Sequence, residues 1–469
     1  MTTAVAPDVI DRLKALLGEG GWSQDPDRLA PKLVEWRERW SGETPILLLP
    51  KSTAEVAAIV GLCAETRTPI TPQGGNTGLV GGQIPQGEVL LSLDRMNRIR
   101  DIDRRDDVII AEAGVTLAAV HEAALGVGRR FPLSLASEGS CTVGGNISTN
   151  AGGTAVLRFG NMRDLVLGIE AVLPNGEVLN GIKRLRKDNT GYDLKQFFIG
   201  AEGTLGVVTA ASLKLFPEPA SRAVAMAGLA SLADCIDLLG RAKEASGSGL
   251  EGFELISRAG MELAIRHIPN HHDPMAQPHA WYALIDIAAE IEGAAETAMM
   301  ALLEPALESG LVQDAVIAQT VAQASALWSL RENQSSAQKS EGPAWKNDIS
   351  VPVARIPEFV AETDAALQRL SPGVRSVPFG HAGDGNLHYD ILAPLGSDPK
   401  LHMAMREQAH TLINDMVDRY EGSISAEHGI GVMKAGEALH YKQPAAVAAM
   451  RAIRAALDPL KIMNPSVLF

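Results

Sequence analysis

Residues 380–390 read GHAGDGNLHYD and residues 424–431 read ISAEHGIG, so His381 and His388 flank a glycine-rich run, and Glu427 and His428 stand side by side ahead of Gly429 and Gly431. Two neutral imidazoles and one carboxylate are what a divalent ion of the zinc or manganese type accepts while keeping a position open for water or substrate. His381, His388 and Glu427 are therefore the candidate metal ligands, and four such residues in two glycine-flanked clusters favour a site over ordinary loop histidines. Each interior glycine costs a helix about 1 kcal/mol relative to alanine, which argues against a helix here. A hairpin fits instead: SVPFGH enters as a strand, AGDGNL reverses the chain and HYDILA leaves, making the imidazoles cross-strand neighbours.

Upstream, the segment LRENQSSAQKSEGPAWKNDISVP brings Arg331 and Lys346 ahead of a strand-like run. Arg331 has the fork geometry for a bidentate pair with a carboxylate, and Lys346 offers a point charge; both could instead be solvated surface cations. A rival cluster, His267, His271, His272 and Asp273, lies in a proline-flanked loop and reads as surface. His402 and His410 fall on one face of a long helix expected over LHMAMREQAHTLINDMVDRY and read as packing or surface.

In the amino-terminal half the glycine-rich stretches PQGGNTGLVGG (72–82), TVGGNISTNAGG (142–153) and GAEGTLGVVT (200–209) are read as loops that can turn backbone N–H groups towards a phosphate. Three of them, interspersed with Asn and Thr, point to a large pyrophosphate-bearing cofactor. None matches GxGxxG in a short βαβ unit or GxxxxGK[ST], which disfavours a Rossmann NAD site and a P-loop.

The elements that must hold these groups fall into two textures. From residue 46 to 216, short β-rich runs (ILLLP, VLLSLD, VIIAEAGV, LVLGIEAVLP, GVVTAASLKLF) alternate with turns and helices, one of them opened by a capping box of Ser52 with Glu55. The PEP at 217–219 marks a boundary, because prolines cannot continue a ladder. Beyond it, Ala-rich amphipathic helices such as LADCIDLLGRAKEA alternate with strand-like WYALIDI and SVPFGH, and a last helix opens at Pro444. The expected domains are 1–219, 220–420 and a returning segment 421–469.

A chain of 469 residues with 46% hydrophobic content is long enough for two or three cores. The net charge of −14 opposes binding to nucleic acid or to an anionic membrane through a general basic field. Cys63, Cys141 and Cys235 are far apart without CxxC spacing, so neither a disulfide framework nor a thiolate zinc site is expected. The start, MTTAVAPDVIDRLKALLG, lacks a basic region followed by an apolar one, and no apolar run approaches the roughly 18 residues that span a bilayer; the reading is cytoplasmic, with an amphipathic first helix.

PQGGNTGLVGG, GGNISTNAGG and GAEGTLGVVT resemble the FAD-binding domain of the vanillyl-alcohol oxidase/p-cresol methylhydroxylase superfamily. GHAGDGNLH and SAEHGIG resemble the carboxy-terminal part of its D-2-hydroxyacid dehydrogenase branch, and the resemblance covers nearly the whole chain. It implies an α+β fold: a two-part FAD-binding domain of the vanillyl-alcohol oxidase type with an α+β cap-like substrate domain. Many relatives attach the flavin through a histidine where this chain has Asn76, so non-covalent FAD is implied. The pyrophosphate would be cradled by Gly74, Gly75, Asn76, Thr77 and Gly78, beside Pro72. The rings would meet the stretch holding Ser137, Gly139, Thr142, Gly145, Asn146, Thr149 and Asn150, and that holding Gly203, Gly206 and Val208, with Asn464 from the returning segment.

For substrate, the resemblance to the D-2-hydroxyglutarate subgroup puts Arg331 on one carboxylate and Ser335 with Lys346 on the distal one. Asp390 stands where that subgroup has an Asn donor, which leaves D-malate open beside D-2-hydroxyglutarate, and D-lactate and glycolate are open as well. Hydride transfer from Cα to the flavin requires the α-hydroxyl to lose a proton. A metal, zinc ahead of manganese, on His381, His388 and Glu427 would lower the pKa of that hydroxyl, and His428 would act as general base and lie against the substrate. The expected electron acceptor is a protein such as an electron-transfer flavoprotein, or a quinone, with dioxygen as the rival acceptor. A homodimer, and a non-enzymatic flavin- or metal-binding module, also remain open.

Overall fold

The computed structural model describes residues 5–468, and the chain divides into two compact units. The first comprises Met1–Gly153, Gly160–Pro217 and Glu427–Phe469, the second Thr154–Phe159 and Glu218–Ala426.

In the first unit, strands Leu47–Leu48, Val89–Ser92 and Ile70–Gln73 run parallel, with Trp22–Ser23 antiparallel at the edge. Helix Thr53–Thr66 makes the crossover and buries Val56, Ile59, Val60 and Cys63 with Leu13 of helix Pro7–Leu17. Each fully buried Val, Leu or Ile there contributes about 1.5–3 kcal/mol. Ser52 caps the helix by accepting from Glu55 N, but the Glu55 carboxylate returns to Lys51 N at 2.8 Å, so the box expected at this N-terminus closes one residue early. A second, antiparallel sheet runs in the order Ile99–Asp103, Val108–Glu112, Val207–Lys214, Val166–Val172, Val178–Asn180. The carboxy-terminal stretch returns to the parallel sheet, where Ile70 N donates to Ile462 O and Asn464 N donates to Ile70 O, each at 2.8 Å.

The stretch TVGGNISTNAGG departs from expectation, because Val143–Thr149 is a helix rather than a loop. Val143 and Ile147, four residues apart, are both buried, and Asn150 ends the helix in the left-handed conformation, so packing overrides the propensity cost of the glycine pair. The first N–H groups of this helix are taken up by the neighbouring backbone, Val143 N donating to Val115 O at 2.9 Å and Gly144 N to Ala113 O at 2.8 Å.

The second unit is built on an eight-stranded antiparallel sheet. Along its path lie Asp314–Ile317, Ser221–Leu229, Trp281–Ala289, Leu250–Ser257, Arg375–His381, Asn386–Leu392 and Ala344–Trp345, with Asp348–Ser350 also paired to Asn386–Leu392. Helices Leu232–Ser246 and Ala294–Glu308 pack on it with buried Leu and Ala. The long helix expected over residues 401–420 is two, Pro399–Ala404 and Arg406–Arg419. The carbonyl of His402, which a continuous helix would offer to residue 406, accepts instead from the Trp345 indole at 3.0 Å and from Met405 N. His402 is buried with its ring stacked on Trp345. Among the described residues no helix is long and apolar enough to cross a membrane, and the three cysteines are free and buried.

Candidate active site

The hairpin forms as its sequence suggests. Strand Arg375–His381 pairs with Asn386–Leu392, placing Phe379 opposite His388 and the two imidazoles on one face with ring centroids 5.8 Å apart. Gly380, at φ 146°, is required there, since a Cβ would stand 2.7 Å from Asn386 O. His388 also lies 4.9 Å from the Phe379 ring, which limits its rotation.

On the other side, Arg375–His381 pairs with Leu250–Ser257 in a register that sets Glu254 opposite His381. Glu254 is 1% exposed, accepts from His381 Nδ1 at 2.7 Å through Oε1, and accepts from Arg331 Nε at 2.6 Å through Oε2. Burial pushes the Glu254 carboxyl up, but its contacts with His381 and Arg331 outweigh it and hold it at about 2. Arg331 occupies the last turn of helix Val321–Glu332, lies over the Phe379 ring at 5.0 Å, and brings its terminal nitrogen to 3.3 Å from His381 Nε2. With Nε committed to Glu254, the end-on pair of terminal nitrogens is the fork left to grip a substrate carboxylate.

Lys346 reaches Asp390 at 3.3 Å and Gln338 Oε1 at 3.4 Å. Asp390, expected beside the substrate, is 3% exposed and also accepts from Asn347 N, so it acts here as the counter-ion of Lys346 rather than as a donor. Ser335 is exposed on the short helix Gln334–Lys339, one turn before Gln338. The rival cluster is spent on neighbours, as its surface reading anticipated: His267 meets Glu341 at 2.7 Å, His271 meets Ser329 at 3.2 Å, and Asp273 meets Arg258 and Tyr282.

In the first unit, Gly75 lies so close to the strand-to-helix turn that a Cβ would stand 1.8 Å from Ser140 O. The backbones of PQGG and SCTVGG thus abut with no side chain between them. The Thr142 hydroxyl beside them is buried without a hydrogen-bond partner. Close backbone approach and an orphaned hydroxyl form a cradle suited to a pyrophosphate. Asn76 sits at φ 55° and donates to Pro31 O and Val34 O while accepting from Gln83, so its side chain is committed to the protein and only its backbone faces outward use. Asn464 spends both amide hydrogens on Gly82 O and Glu202 O, leaving Oδ1. Asn150 accepts from Arg163 N, Thr149 donates to Gly145 O, and Asn146 donates to the Cys141 sulfur. Gly203 packs on Pro72, and Gly206 and Val208 lie at the start of strand Val207–Lys214.

Sequence reasoning missed three residues. Glu254 and Gln338 support the arginine and the lysine. Glu202 takes the N–H groups of Ile430 and Gly431, each at 2.8 Å, and so fastens the EHGIG turn, whose Glu427 and His428 side chains lie 3.6 Å apart. Burial raises the Glu202 carboxyl, and those two amides pull it the other way. The available signal was a single acid inside an otherwise apolar or glycine-rich run, since a buried carboxylate must be paired or hydrogen-bonded.

Two family models match the chain: the FAD binding domain over residues 44–181 and the carboxy-terminal domain of FAD linked oxidases over 218–468. A probable mitochondrial D-2-hydroxyglutarate dehydrogenase of Oryza sativa subsp. indica is 39% identical over 460 residues, covering 98% of this chain and 81% of the relative. D-2-hydroxyglutarate dehydrogenase of Xanthomonas citri pv. viticola is 39% identical over 436 residues, covering 93% and 91%. The D-2-hydroxyglutarate–pyruvate transhydrogenase of Saccharomyces cerevisiae is 36% identical over 462 residues, covering 94% and 90%. Among solved structures, p-cresol methylhydroxylase with bound substrate superposes with a TM-score of 0.73 at 17% identity over 98% of this chain and 97% of its own, which shows the shared fold.

Proposed function

The chain belongs to the FAD-linked oxidases, in the D-2-hydroxyacid dehydrogenase branch of the vanillyl-alcohol oxidase/p-cresol methylhydroxylase fold, and we propose that it oxidises D-2-hydroxyglutarate to the 2-oxoacid. The observation that carries the substrate class is the convergence in the second unit of Arg331, held by Glu254, with two imidazoles on one hairpin, while Lys346 directly follows strand Ala344–Trp345, which pairs with that hairpin. Two separated cations suit a diacid.

FAD, when bound, supplies the two-electron acceptor for a hydride from Cα. Its pyrophosphate fits the cradle of Gly74, Gly75 and the Thr142 hydroxyl. For the metal, His381 and His388 on one face of the hairpin, with Glu427, make a donor set of the two-histidine, one-carboxylate kind that zinc accepts. A divalent ion there supplies Lewis acidity, lowering the pKa of a substrate hydroxyl. Arg331 grips the carboxylate beside Cα and orients the hydroxyl towards the histidines. Lys346, its charge shared with Asp390, holds the distal carboxylate together with Ser335. His428 takes the hydroxyl proton on its imidazole as the hydride leaves. An electron-transfer flavoprotein is the acceptor in this reading, so the reduced protein should take up oxygen only slowly.

The direct test is anaerobic mixing with a panel of D-2-hydroxyacids. D-2-hydroxyglutarate should bleach the flavin at lower concentration than D-malate or D-lactate, and absence of bleaching by any of them would leave only a binding module. In the same assay Lys346→Ala should raise KM for D-2-hydroxyglutarate roughly 10- to 150-fold, since a charge-assisted contact contributes about 1.5–3 kcal/mol, while D-lactate should change little. Equal losses for both acids would remove Lys346 from the distal carboxylate.

Asn76 carries no nucleophile and its amide is committed to Pro31, Val34 and Gln83, so the flavin is held non-covalently in this reading. Acid precipitation should release the yellow colour into the supernatant, and colour retained in the pellet would contradict it.

A further inference from the structure

Glu254 has no part in the chemistry above, yet it is a fully buried carboxylate making two charge-assisted contacts, one to a proposed metal ligand and one to the proposed substrate cation. Its position follows from sheet register, which sets it directly across the strand pair from His381. We propose that Glu254 is a positioning residue that fixes the ring tautomer of His381 and the aim of Arg331 together. This rests on the functional reading above for the roles of His381 and Arg331.

The hydrogen-bond arithmetic requires a carboxylate. Oε1 accepts from Nδ1, so the imidazole carries its proton on Nδ1 and keeps the lone pair on Nε2. The Arg331 terminal nitrogen, 3.3 Å from Nε2, is itself only a donor, which agrees with an unprotonated Nε2. Oε2 accepts from Arg331 Nε, so the guanidinium cannot rotate about its stem without breaking that bond. A carboxylate has two acceptors, one for each partner. A glutamine has one acceptor and an amide that only donates. Facing Nδ1, the amide forces the proton to Nε2 and removes the metal-binding lone pair; facing Arg331, it sets donor against donor in a buried place and turns the guanidinium away. Either way one of the two functions is lost, and groups that orient a ligating histidine typically matter 10–100-fold in metal affinity.

A merely structural ion pair would alter melting temperature and leave ligand affinities alone, so the test reads both. Zinc affinity is measured by competition with a chromogenic chelator, and KM for D-2-hydroxyglutarate by flavin reduction, in wild-type protein and Glu254→Gln, with FAD content and melting as controls. The expected result is a zinc affinity or a KM weaker by roughly 10–100-fold with FAD content retained. Wild-type values for both in folded Glu254→Gln overturn the inference and leave the functional reading standing. Wild-type protein that binds no zinc overturns the functional reading and this inference with it. Where Glu254→Gln does not accumulate as folded protein, Glu254→Asp carries the test: its shorter stem keeps the charge but reaches only one partner well, so zinc affinity or KM must worsen about tenfold, and two unchanged values overturn the proposal.

Discussion

His388→Ala is expected to strip the protein of its divalent ion and to slow anaerobic reduction of the flavin by D-2-hydroxyglutarate by roughly 10²–10⁴-fold, the span that several kcal/mol of lost Lewis-acid stabilisation produces. His388 is the better of the two histidines to replace. His381 is 8% exposed and its loss would leave Glu254 buried with one partner fewer, so the damage would mix ligand loss with the penalty of an unpaired charge. His388 is only half-buried, and its ring packs against those of Phe379 and His381. FAD content should stay near one per chain, because the cradle at Gly74, Gly75 and Thr142 belongs to the other unit. Elemental analysis of active wild-type protein that finds no divalent metal, or a His388→Ala protein that reduces flavin at the wild-type rate, would end the metal reading.

His428→Ala should behave differently, keeping both FAD and metal while flavin reduction slows by about 10²–10⁴-fold, the usual contribution of a general base. The backbone beside it is anchored independently of its side chain, through Ile430 and Gly431 N–H to the Glu202 carboxylate, so truncation at His428 should leave the turn in place. Removal of a base also changes how the rate depends on pH. Added imidazole should restore part of the rate in the variant. A His428→Ala protein with an unchanged rate and pH profile would assign proton removal to another group.

The hairpin itself was legible in the chain. A strand-forming run, a glycine-rich reversal and a second run with alternating polarity dictate which side chains share a face, so the neighbourhood of His381 and His388 follows from local rules alone. The strand sequence from ILLLP to GVVTAASLKLF was legible for the same reason. TVGGNIST was misread because propensity counts glycine against a helix, whereas Val143 and Ile147 gain their burial only once the surrounding sheet exists. The break at Met405 was hidden likewise, since it depends on an indole from Trp345 capturing a carbonyl on a helix far along the chain.

By itself, then, the sequence determined the residue types that could do chemistry and the short-range geometry joining them: the imidazole pair, the Glu427–His428 step, the cations Arg331 and Lys346, and a glycine-rich backbone fit for a pyrophosphate. Only the tertiary structure decided how those groups are charged, aimed and compensated. Glu254 lies 127 residues from His381 and becomes its partner through strand register; Asp390 becomes the counter-ion of Lys346 from 44 residues along the chain; Glu202 clamps a turn 229 residues away at Gly431. Side-chain periodicity says which face a residue occupies but nothing about what stands opposite, because pairing between distant strands is selected by the packing of the whole sheet. A buried charge can be placed only when its partners arrive with it, and that condition is met by the fold rather than by any segment of it.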